Sequence, residues 1–198
     1  MSIVVEHEKR RQNILKKALD VFVDEGFEDA TFQKIADRCG ITRTTLYIYF
    51  KNKKEIFNYS IKQLLSTVEA ELSGVRSDTN INTVDKLIRV LSRIIELLEK
   101  NRRLLSVILD YLLHVARSNG DPNYRVRRRT LKLRHIMATM VIDGIKAGEI
   151  VSINVKAADD LLYPLIESAI FRLAVLKQES VGDLKTSAAL AVRLIARS

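Results

Sequence analysis

Apolar residues recur at spacings of three and four along this chain, and only two prolines, Pro122 and Pro164, and seven glycines interrupt its 198 residues. That spacing gathers apolar side chains on one face of a helix and scatters them on a strand, so it predicts an all-α fold. A hydrophobic fraction of 47% is enough for a substantial core. There is no internal repeat and no run of eighteen apolar residues to cross a membrane. The opening "MSIVV" passes directly into "EHEKRR", unlike a signal peptide, and a cytoplasmic location is expected. The single cysteine, Cys39, excludes an internal disulfide framework, and its neighbours suggest a small buried residue.

The breaks in the pattern predict about nine helices. "HEKRRQNILKKALDVFVDEGF" places Ile14, Leu15, Ala18, Leu19 and Phe22 on one face and stops at Gly26. Two short helices flank Gly40, and a longer one starts at Asn52 and runs to about Leu72, before "SGVRSDTN". "INTVDKLIRVLSRIIELLEK" is amphipathic, whereas "RRLLSVILDYLLHVARS" is apolar on most faces and is expected to be central. Asp121 and Pro122 suit the N-cap and first position of the next helix, which runs to "KAGEI". A last pair covers roughly residues 155–177 and 183–198, with a kink expected at Pro164.

The net charge of +9 suggests a polyanionic partner, most simply nucleic acid. It is not confined to one end: residues 1–55 hold eleven cations and nine acids, residues 56–198 twenty-two and fifteen.

Residues 31–49, "TFQKIADRCGITRTTLYIY", have the anatomy of a helix-turn-helix. Thr31 caps a helix whose Ile35 and Ala36 face inward, Gly40 makes the turn, and Thr42 caps a second helix that packs through Leu46 and Phe50. Arg43, Thr44, Thr45, Tyr47 and Tyr49 suit DNA: Arg reads guanine, Thr methyls meet thymine methyls, and Tyr hydroxyls reach phosphates. An ordinary helical hairpin with a solvated face is the alternative. "FKNKKEIF" then sets Lys51, Lys53 and Lys54 at a helix start, where the macrodipole repels cations. Asn52 and Glu55 resemble a capping box, and free amides flanked by ammonium groups suit a phosphate, with Lys53 the foremost candidate. The bland alternative is a solvated lysine cluster.

"ILKKALDVFVDEGFEDATFQKIADRCGITRTTLYIYFKNKKEIF" resembles the DNA-binding domain of the tetracycline-repressor (TetR) family. Phe22, Gly26-Phe27, Thr31, Ile35-Ala36, Gly40, Leu46-Tyr47, Tyr49-Phe50 and Lys53 fall on that family's pattern over about forty-five residues. Thr44 departs from it, standing where the family often has Gly or Ala. The resemblance implies a DNA-binding domain over residues 1–51 and a helical ligand-binding and dimerisation domain over residues 52–198. It implies that Thr42, Arg43, Thr45, Tyr47 and Tyr49 face double-stranded DNA with Lys53 on a phosphate, and that a homodimer sets two recognition helices in successive major grooves of a palindromic operator.

In residues 56–198 the last two helices carry more apolar surface than one core needs. Leu184, Ala188, Ala191 and Ile195 share a face, with Leu190 and Leu194 beside it, and a four-helix dimer interface through Leu184, Ala188, Ala191, Leu194 and Ile195 is expected. A hairpin packed wholly within one subunit is the alternative. Met137 and Met140, with Tyr111, His114, Tyr124 and Phe171, are candidates to line a site for a largely apolar effector, against the commoner reading as plain core. Six cations in "RVRRRTLKLR" read as a solvated face, or as Arg129 guarding a pocket for an anionic ligand.

The three histidines form no H-E-x-x-H or E-x-x-H, and there is no G-x-S-x-G or phosphate-cradling loop, so neither enzyme nor cofactor nor metal is expected. The expected function is that of a TetR-like transcriptional regulator, a repressor released by a small molecule. An effector-independent architectural DNA-binding protein is the alternative. The switch expected is a ligand among residues 81–177 that pulls on the 52–72 helix and spoils the half-site spacing.

Overall fold

The computed structural model describes residues 3–117 and 123–197, with side chains described for all of these but 3, 4, 67 and 123–130. Among the described residues the elements are α1 (Ile3–Asp29), α2 (Phe32–Cys39), α3 (Arg43–Tyr49), α4 (Lys53–Ser77), α5 (Thr83–Lys100), α6 (Arg102–Arg117), α7 (Asn123–Lys146), α8 (Val155–Ala174) and α9 (Asp183–Ile195). The fold is all-α, with one isolated antiparallel bridge between Ile150 and Ala196. Asp121 and Pro122, expected to start α7, lie outside the described residues.

Two compact units divide at residues 69 and 70. The expected division at 51/52 falls earlier. The first turn of α4 buries Ile56 and Phe57 completely, and Phe57 meets Phe22 and Phe27 with ring centroids 4.8 and 5.0 Å apart. Removing those rings would open the core of the first unit, so the start of α4 belongs to it. Ser60, also buried, donates to the Leu15 carbonyl at 2.9 Å. α1 leaves helical geometry at Gly26, whose φ of 82° and ψ of 171° lie in a region that essentially only glycine reaches.

In the second unit α8 packs on α5, α6, α7 and α9, and α5 on α6, α7, α8 and α9. These two are the centre. The expectation of a central α6 is corrected: it buries Leu104 and Val107 but leaves Leu113 exposed. Its apolar residues surround the helix, and periodicity could not show which of them the neighbours would cover. α8 runs through Pro164 without ending there. Arg134 of α7 donates to Asp159 and Asp160 of α8 and lies over the Tyr163 ring, so one cation of the basic run holds two helices together. At the end of α7 a Cβ on Gly144 would stand 2.5 Å from the end of the Ile150 side chain, which packs into the space the glycine leaves.

The expected interface face is also corrected. Leu184, Ala188, Ala191 and Ile195 are buried within the chain, where α9 packs on α5 and α8. Leu194 is 71% exposed and Leu190 61%. The outward apolar stripe thus runs through Leu190 and Leu194, beside Leu161, Ile170 and Phe171 exposed on α8.

Candidate nucleic-acid interface

Thr31 accepts from the Lys34 amide at 3.2 Å and starts α2. At its other end Gly40, in the left-handed region at φ 69°, donates to the Asp37 carbonyl while Ile41 donates to that of Ala36. This pair of bonds closes a helix and redirects the chain. Thr42 then accepts from the Thr45 amide at 3.1 Å and starts α3. Leu46 and Phe50 are buried, as expected, and fix which face of α3 turns outward.

That face holds Thr42, Arg43, Thr44, Tyr47 and Ile48, all exposed, with Thr45 and Tyr49 half-buried at its edges. The Tyr47 ring packs at a tilt on Phe32 of α2, centroids 4.7 Å apart, and its hydroxyl accepts from the Arg43 guanidinium at 3.2 Å. Arg43 is thus held along the helix by a residue itself held by α2. Thr42 and Thr45 hydroxyls share a hydrogen bond of 2.8 Å. Tyr49 stacks on His7 of α1 at 4.6 Å. Sequence reading did not assign Phe32, His7 or Ile48, nor Arg10, which lines the open hollow at the turn with Asp37, Gly40, Thr42 and Thr45. Of these, only Ile48 carried a periodic signal, lying four residues beyond Thr44.

The capping box is present with a shift of one residue. Asn52 accepts from the Glu55 amide at 2.8 Å, and Glu55 accepts from the Lys51 amide at 2.6 Å. Lys53 has partners within the first unit. Its ammonium donates to the carbonyls of Phe27, at 2.9 Å, and Glu28, at 2.6 Å, and sits 4.9 Å from the Phe27 ring centre. Carbonyls at the end of α1 thus offset the helix-start repulsion on Lys53. Lys51 and Lys54 are exposed and remain available to one. Cys39 is half-buried, and burial pushes its thiol pKa up against the opposing charge of Lys17.

The structure does not bring the effector candidates together. Met137 and Met140 are fully buried in the packed core, Phe171 is exposed on the outward stripe of α8, His114 is exposed and Tyr111 is half-buried. The side chains of Tyr124 and Arg129 lie outside the described residues. Among the described residues there is no group of metal-ligating side chains, and no helix is long and apolar enough to cross a membrane.

Residues 14–59 match the family model described as bacterial regulatory proteins, tetR family. The fatty acid metabolism regulator protein of Bacillus subtilis is 24% identical over 162 residues, 79% of each chain. A TetR transcription regulator from Haloarcula marismortui superposes with a TM-score of 0.83 at 18% identity, over 96% of this chain and all of that one. The transcriptional regulator FadR from B. subtilis, in complex with stearoyl-CoA, does so at 0.69 and 22%, over 91% of this chain and 96% of that one. The whole-chain likenesses show the fold, and the 14–59 match shows that the capped helix-turn-helix is a DNA-binding domain of the TetR family of bacterial regulatory proteins.

Proposed function

We propose that this regulator binds a palindromic operator as a homodimer, represses transcription there, and is released by an amphipathic effector with an apolar tail and an anionic head. The observation that carries the DNA reading is α3 itself: a helix capped at both ends, anchored by Leu46 and Phe50, that turns Arg43, Thr44 and Tyr47 outward. Arg10, Lys51 and Lys54 add cations on the same unit for phosphates.

Dimerisation is supported by Leu190 and Leu194 on α9 and Leu161, Ile170 and Phe171 on α8, apolar residues of neighbouring helices that stay exposed among the described residues. The effector class is supported by the similarity to a regulator solved with stearoyl-CoA and by the cationic surplus of residues 56–198.

Selection of bound sequences from random duplexes tests the reading. A palindrome with half-sites centred about 34 to 36 Å apart is expected, because two recognition helices must meet successive major grooves. Selection of no common sequence overturns site-specific binding. For the effector, long-chain acyl-CoA should raise the melting temperature and lower operator affinity, with coenzyme A alone as the control. An operator affinity unchanged by acyl-CoA would reject that class.

A further inference from the structure

We propose that Ile48 reads the 5-methyl group of a thymine in the major groove and so imposes a thymine within each operator half-site. This rests on the reading of α3 as the recognition helix. Ile48 is 70% exposed, the sixth residue of a seven-residue helix whose other large aliphatic, Leu46, is wholly buried. A solvated position in a short helix favours Lys, Glu or Arg, and β-branched isoleucine is a poorer helix former than any of them.

The side chains around it sharpen the assignment. Arg43 and Tyr47, four apart, are bonded to each other, and Tyr47 is drawn onto Phe32. The row one residue further round the helix is Thr44 and Ile48, both exposed, which presents one methyl from threonine and the branched end of isoleucine. A polar row and an apolar row therefore lie side by side on the outward face. In the major groove, hydrogen-bonding base edges and thymine methyl groups also lie side by side, and thymine alone of the four bases carries that methyl. Arg43 supplies the donor for a guanine edge, and Ile48 supplies apolar surface that would meet water or a polar edge at any other base.

The contact is tested with the full chain and a site selected from random duplexes. Each thymine of the half-site is replaced in turn by deoxyuridine, which removes the 5-methyl group and keeps the pairing edges. Wild-type binding should fall about fourfold at one thymine, the factor for one buried methyl group. In Ile48→Ala that particular loss should vanish, while losses at other positions persist. Ile48 is too exposed for the fold to depend on it, and Ile48→Val, which keeps a branched methyl pair, should retain the loss. Thr44→Ser separates the neighbouring methyl. The proposal is overturned if no thymine shows a loss, if the loss survives Ile48→Ala, or if only Thr44→Ser removes it. Failure to select any site would instead overturn the DNA reading on which the proposal stands.

Discussion

The Lys53 ammonium lies 2.6 Å from the backbone carbonyl oxygen of Glu28, so the first residue of α4 closes the end of α1. Carbonyls left over at a helix end need donors, and a cation there is favoured by the dipole as strongly as it is disfavoured at its own helix start. Lys53→Met should therefore lower stability by about 1.5 to 3 kcal/mol, the range for bonds to a charged donor. Urea unfolding measures it. Stability equal to wild type, with a weakened salt dependence of DNA binding, would return Lys53 to a phosphate. Lys51→Ala and Lys54→Ala should each reduce the salt slope by about one, with stability unchanged.

The contrast between Lys53 and its neighbours shows what the sequence could carry. Thr31, Thr42 and Asn52 were legible as caps because each bonds an amide three residues on. Gly26 and Gly40 were legible because the chain needs positive φ where it turns. The Glu28 acceptor was not legible, since it lies twenty-five residues from Lys53 and is met only when α1 and α4 pack. The same limit explains α9. Periodicity shows that Leu184, Ala188, Ala191 and Ile195 share a face, but α5 and α8 decide that this face turns inward.

Operator specificity should respond to the Arg43–Tyr47 pair. Arg43→Ala should lose about 1 to 3 kcal/mol on the selected operator and much less on random DNA, the cost of one base contact. Tyr47→Phe keeps the packing on Phe32 but removes the hydroxyl that Arg43 donates to. A smaller, equally operator-selective loss is expected. Competition binding with random duplexes checks both, and equal losses on both DNAs would assign the pair to backbone positioning.

Leu194→Glu should give folded monomers, because the residue is 71% exposed in the single chain and a charge in a dry interface is costly. Ala188→Glu should instead unfold the second unit, since that alanine is fully buried between α9 and its neighbours. Sedimentation and circular dichroism separate the outcomes. An intact Leu194→Glu dimer would place the interface elsewhere.

Acid should weaken the link between α5 and α9. The hydrogen bond from Lys185, and then that from Arg93, holds the Glu96 carboxyl below the usual glutamate range. A folded-state pKa below the unfolded one adds stability that is complete above the unfolded value and is lost as pH falls through the folded one. The wild-type melting temperature should thus drop below about pH 4 to 5, and Glu96→Gln should remove part of that drop. An identical pH profile in Glu96→Gln would show that other carboxyls carry it.

The last prediction concerns Arg93, which donates to Glu71 of α4 at 2.8 Å through Nε and to Glu96 of α5 at 3.4 Å. α4 is one helix from Lys53 to Ser77, and Glu71, which Arg93 grips, lies in its second half. An effector that moves α5 can act on α4 through this grip, whereas packing alone would let the two slide. If effector and operator are linked, each weakens the other's binding by one and the same factor. If acyl-CoA is the effector, its affinity measured with and without operator gives that factor in the wild type. In Arg93→Ala it should move toward one, while operator affinity without effector stays within about threefold, because nothing on α3 has changed. A wild-type factor of one would show the sites uncoupled, and an unchanged factor in Arg93→Ala would place the coupling on other contacts of α4.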